Sequence, residues 1–166
     1  MIHISSQFDG GNIEVIDASN PNDVRLTIRK DGQSDFFQWF YFRVSGAKGV
    51  PLTMTIENAG AASYPKGWED YRAVVSEDRS NWWRTETRYD GAKLTITHTP
   101  ESDLAWFAYF APYTLEQHAD LVAFAQASGA ARAERLGSTL EGRDLDLLVF
   151  GSGEKPLWII SRQHPG

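Results

Sequence analysis

The chain has 166 residues, no cysteine, a formal net charge of −6 and a pI near 5.2. Without cysteine it can build neither a disulfide framework nor a thiolate metal site. The acidic balance, with no cluster of Lys and Arg, argues against nucleic-acid or anionic-membrane partners, and no apolar run approaches the ~18 residues of a membrane helix.

The opening "MIHISSQFDGG" lacks a basic segment followed by an apolar core, so a cytoplasmic protein without a secretory leader is expected. β-rich or alternating runs follow at 12–18, 24–30, 36–45, 50–57, 71–76, 82–89, 93–99 and 104–110. Turn-forming stretches separate them: "DGG" at 9–11, "NPND" at 20–23, "KDGQ" at 30–33, "SGAKG" at 45–49 and "YDGA" at 89–92. Asp-Gly in the last tolerates the positive φ angles of a two-residue hairpin turn. Eight short strands without an intervening helix predict a mainly β fold, an antiparallel β-sandwich over residues 1–111. Aromatic residues make up 13% of the chain. Most of them are expected in the sandwich core, although an exposed aromatic face could bind a glycan or peptide, making the sandwich a non-catalytic binding module.

From residue 112 the pattern changes. Thr114 and Gln117 have the spacing of a capping box, Leu121, Val122, Phe124 and Ala125 supply a partly apolar helix face, and Gly129 suits the helix end. Two continuously apolar runs, 145–150 and 157–161, read as strands buried on both faces of an α/β sheet. Residues 112–166 are too few to cover such strands. Either the chain stops inside a second domain, or a partner chain completes the sheet.

Among the four histidines, His3, His98 and His118 are expected to be solvated or hydrogen-bonded structural residues. His164 follows a predicted buried strand at its C-terminal end, where α/β sheets place their ligands. "FGSGEK" at 150–155 matches neither a nucleophile elbow nor a phosphate-binding loop and reads as a plain turn. Glu69 and Asp70, adjacent in an extended run, would face opposite ways and do not form a carboxylate pair.

Residues 135–166, "RLGSTLEGRDLDLLVFGSGEKPLWIISRQHPG", resemble the opening of a zinc metallocarboxypeptidase domain of the carboxypeptidase A-like fold. Gly137, Ser138, Glu141, Gly142, Arg143, Trp158 and His164 carry the match. "RQHPG" is similar to the cytosolic carboxypeptidase subfamily in particular. So are "FQWFYFRVSG", "YPKGWEDYRAV", "WWRTETRYDG" and "FAYFAPYT", which look like phrases of that subfamily's N-terminal β-sandwich.

The resemblance implies that His164 is the first zinc ligand, in a His-x-x-Glu pair whose Glu would follow Gly166. It also implies a zinc-activated water that removes C-terminal residues from peptides or proteins. The second ligand His, a general-base Glu and the carboxylate-binding Arg residues would lie further on. The 166 residues alone are therefore expected to be inactive. Oligomeric state and substrate side chain are not legible in the sequence.

Overall fold

The computed structural model describes residues 1–161, and the chain divides into two compact units that meet after Pro112. The first unit holds two five-stranded sheets. One is ordered β1 (His3–Ser5), β4 (Tyr41–Ser45), β10 (Leu104–Ala108), β6 (Val74–Ser76) and β7 (Trp83–Arg84). The other is ordered β2 (Glu14–Asp17), β3 (Val24–Thr27), β5 (Leu52–Ile56), β9 (Leu94–His98) and β8 (Glu86–Tyr89).

Period-two alternation explains the layering. In β5 the residues Leu52, Met54 and Ile56 are buried while Thr53 and Thr55 are less so, and the neighbouring strand β9 repeats the pattern with Leu94 and Ile96. Phe42 and Val44 of β4 meet these residues from the opposite sheet in one continuous core, which is the interior of a sandwich. Phe42 sits directly opposite Phe107 in the register, and their rings stack with centroids 5.4 Å apart. The outer face of the β4 sheet is also covered, because Phe8, Trp39, Trp82 and Trp106 pack over buried Tyr41, Val74 and Ala108.

The sandwich is mainly antiparallel, with one departure. Strands β3 and β5 pair in parallel. The chain between them therefore cannot be a tight hairpin; it runs out through β4 in the other sheet before returning. Two asparagine side chains extend the ladders where the backbone cannot. Asn58 accepts from Ile28 N–H at 2.9 Å and donates to Ile28 C=O at 2.8 Å, as a neighbouring strand would. Asn12 accepts from Arg29 N–H and donates to the carbonyls of Arg29 and Trp39.

The "YDGA" turn is longer than expected. Tyr89 pairs with Leu94, so four residues, not two, connect β8 to β9, with Asp90 Oδ1 accepting from Ala92 and Lys93 N–H. Gly91 still takes a positive φ of 97°. Residues 36–40 contribute no ladder strand, and β1 was too short to stand out in the sequence.

In the second unit, α1 (Leu115–Ala127) precedes an antiparallel hairpin of β11 (Ala131–Ser138) and β12 (Asp144–Phe150). The predicted capping box is present: Thr114 Oγ1 accepts from Gln117 N–H at 3.3 Å and Gln117 Oε1 accepts from Thr114 N–H at 2.7 Å. Gly129, just past the helix, has φ 71°. Three expectations are corrected here. The run 145–150 does form β12, but its partner is the unpredicted β11 and the pairing is antiparallel. Its side chains are exposed or half-buried, not covered on both faces. The run 157–161 is not a strand, and Leu157, Trp158, Ile159 and Ile160 are exposed.

Candidate functional site

Five of the residues that carried the resemblance, Gly137, Ser138, Glu141, Gly142 and Arg143, lie on one hairpin, and Trp158 is exposed beyond it. Gly137 lies at a register shift in β11, where open space surrounds it. The tip, 139–143, is held by Thr139: its N–H donates to Arg143 C=O at 2.8 Å, its carbonyl accepts from Gly142 N–H at 2.9 Å, and its Oγ1 accepts from Arg143 N–H at 3.1 Å. Gly142 has φ 79°, a left-handed conformation that favours glycine. Glu141 and Arg143 are exposed, with Arg143 Nε 4.0 Å from Glu141 Oε2. The Gly-Ser-x-x-Glu-Gly-Arg segment thus ends β11 and builds the turn after it.

His118 lies on the first turns of α1 and reaches β12, with Nε2 2.8 Å from Asp146 Oδ2. This contact pins helix to hairpin. Of the partly apolar helix face, only Ala125 is buried, while Leu121 and Phe124 are exposed. "FGSGEK" leaves β12 through Gly151 at φ 72° into irregular chain that bends at Glu154 and Lys155, and no helix follows it among the described residues. Asp70 adopts a left-handed φ of 57° just after a 3-10 turn, so Glu69 and Asp70 are not in a strand at all.

Inside the sandwich, His98 forms a second polar cluster that the sequence did not signal. Its Nδ1 is 3.3 Å from Thr85 Oγ1, whose hydroxyl donates to Thr97 C=O at 2.8 Å. Its Nε2 is buried, has no hydrogen-bond partner and is 3.9 Å from Glu77 Oε1. Burial lowers the affinity of this imidazole for a proton, against the attraction of Glu77. Burial pushes Glu77 the other way, but hydrogen bonds from Ser102 and Glu101 N–H, with His98 nearby, bring it below the ordinary carboxylate value. Residues 77 and 98 are far apart in sequence, and no local spacing relates them.

His164 lies outside the described residues. Among the described residues, no three His, Asp or Glu side chains converge as a metal-binding group. Residues 1–161 therefore do not fit a zinc ion by themselves. Nor is any described helix long and apolar enough to cross a membrane.

This chain, a two-sheet sandwich followed by a capped helix and a glycine-bearing hairpin, is similar to solved metallocarboxypeptidases. The metallo-carboxypeptidase from Burkholderia cenocepacia matches 93% of this chain at 45% identity and a TM-score of 0.89. The metallo-carboxypeptidase from Pseudomonas aeruginosa, solved in complex with (2-guanidinoethylmercapto)succinic acid, matches 88% at 44% identity and a TM-score of 0.82. Residues 4–110 match the family model of the cytosolic carboxypeptidase N-terminal domain, and the chain belongs to that family. An uncharacterised Zymomonas mobilis protein is 50% identical over 165 residues, 99% of this chain. The chain spans 43% of that relative's length, and 41% and 39% of the two solved chains.

Proposed function

We propose that this chain is the N-terminal sandwich and the first part of the catalytic domain of a cytoplasmic zinc metallocarboxypeptidase, which as an intact protein releases C-terminal residues from peptides or proteins. One observation carries the reading. The likeness to the Burkholderia enzyme covers 93% of the chain, and so runs past the sandwich into the helix and hairpin of the second unit.

On this reading residues 112–166 begin the peptidase domain, and His164 is one zinc ligand. The Glu of the His-x-x-Glu pair, a second His, the general-base Glu and the carboxylate-binding Arg residues come from the part of the relatives that this chain does not span. The 166 residues alone are inactive, because one ligand cannot hold a catalytic zinc with an open water position. The sandwich is a folding and docking partner of the catalytic domain.

The test is release of C-terminal amino acids from a peptide panel by the intact protein, with and without a zinc chelator. Activity should be lost on chelation and in His164→Ala, and be absent from the 166-residue chain. Activity that survives both treatments, or that resides in the 166 residues, overturns the proposal. Deleting residues 1–110 from the intact protein should abolish solubility or alter substrate choice.

A further inference from the structure

At one end of the sandwich three loops meet around His98. The loop after β9 is tied to the loop before β5, because Gly49 N–H donates to Pro100 C=O at 2.8 Å and Gly46 N–H donates to Asp103 C=O at 2.9 Å. It is tied to the loop after β6 by one side chain, Glu77, whose Oε1 accepts from Glu101 N–H at 2.9 Å. The same oxygen faces His98 Nε2 across 3.9 Å, too long for a hydrogen bond.

The shorter bond of the Thr85 hydroxyl is to Thr97 C=O, which leaves Thr85 Oγ1 to accept from His98 Nδ1–H. In the neutral ring, Nε2 then carries a lone pair aimed at a carboxylate oxygen. Two acceptors face each other in a site where both side chains are only 15% exposed. The rings of Phe107 and Trp83 lie 5.7 and 6.5 Å from the imidazole. Glu77 and Glu101 are the charged groups that act on it.

We propose that His98 and Glu77 form a proton-operated latch: protonation at Nε2 turns the facing acceptors into a charge-assisted hydrogen bond that ties the loops after β6 and β9 to the end of strand β9. The bond forms when Nε2 gains one proton and a movement of about 1 Å closes the gap to ordinary hydrogen-bond length. Burial holds the ring neutral at pH 7, so the latch is open there and closes in mild acid. Its closure couples the two sheets, since β9 belongs to one and β6 to the other.

The experiment follows His98 Cε1 by NMR in the full chain, alongside hydrogen exchange at the Glu101 amide, from about pH 7.5 to about pH 5. As His98 titrates below its ordinary value, exchange at Glu101, corrected for its intrinsic pH dependence, should slow about tenfold, the size a charge-assisted hydrogen bond supplies. Glu77→Gln keeps an acceptor for Glu101 N–H but removes the charge, and it should abolish the slowing. His98→Gln presents an uncharged N–H donor at every pH, and it should make Glu101 exchange independent of pH. Titration of His98 with unchanged Glu101 exchange overturns the latch. So does equal slowing in Glu77→Gln, or a pH dependence that persists in His98→Gln.

Discussion

The hydroxyl of Tyr71 donates to the carbonyl oxygen of Tyr109 at 2.5 Å and approaches that of Ala108 at 3.4 Å, tying the loop before β6 to the end of β10 and the residue after it. Its ring is wedged among Phe40, Trp68 and Tyr109, and burial raises the phenol well above its usual range. Tyr71→Phe keeps the ring but leaves the carbonyls without that donor. We expect a loss of about 1–3 kcal/mol in denaturant unfolding. A phenol whose folded pKa is raised contributes stability that is complete below its ordinary value of 10 and lost as pH climbs toward the folded value. The variant should therefore be less sensitive to alkali than the parent. Equal alkaline sensitivity would show that Tyr71 is not the group responsible.

Trp68 is fully buried, and its indole N–H donates to Ala59 C=O at 2.9 Å. Trp68→Ala should cost about 3–5 kcal/mol through the cavity it leaves. Trp68→Phe should cost less, since only the hydrogen bond and part of the volume are lost. A ranking in which Phe is as damaging as Ala would mean that the indole N–H, and not packing, dominates.

Asn58 serves as a one-residue strand for Ile28. Asn58→Ala strands a part-buried N–H and C=O pair, and Asn58→Asp supplies the acceptor but not the donor. Both should destabilise by about 1–3 kcal/mol, with Asp harmed least at low pH, where its protonated form can donate. Thermal melts of the two variants across pH check the order.

A Cβ at Gly11 would stand 2.1 Å from Ser6 C=O, closer than any side-chain atom can approach. Gly11→Ala must displace the backbone that joins β1 to β2, and it should lower the melting temperature by more than any other single alanine on the surface of this loop. Gly49→Ala is the control for glycine itself: its Cβ would meet nothing, although its φ of 69° still disfavours alanine.

Acid should weaken the sandwich through its turn carboxylates. Backbone and side-chain hydrogen bonds from Asn81, then the Ser80 N–H and Ser76, hold Asp78 far below the usual aspartate value of 3.8. A carboxylate with a depressed folded pKa contributes stability present above the ordinary value and lost as pH falls through the folded one. Asp78→Ala should therefore lower the melting temperature at neutral pH and flatten the acid limb. An acid limb unchanged in slope would assign the effect to other carboxylates.

Much of the fold was legible because its signals are local. Leu52, Met54 and Ile56 alternate with threonine, and Thr114 and Gln117 have the spacing of a capping box; each pattern is complete within a few residues. Strand β11 carries no strong apolar signal, because Ala131–Ser138 mixes charge and small residues, alternates only over its first four positions, and has its register broken near Gly137. Residues 157–161 misled because a continuous apolar run states what a segment would bury and not what it pairs with. The hairpin motif was recognised as a pattern, but its physical content, a Thr139-capped turn with a left-handed Gly142, emerged only in three dimensions. The His98–Glu77 pair and the parallel β3–β5 pairing depend on contacts remote in sequence, and periodicity does not report those.

Trp83–Arg84 closes one sheet and Glu86–Tyr89 closes the other, with only buried Thr85 between them. Strands slip by moving every side chain to the opposite face, and a slip in β7 would have to be matched at once in β8 because no slack exists to absorb it. The alignment of each layer is thus indexed to the other by covalent continuity. A mistake made early in folding at either border would be visible at both, which leaves the nascent sandwich one self-consistent way to zip.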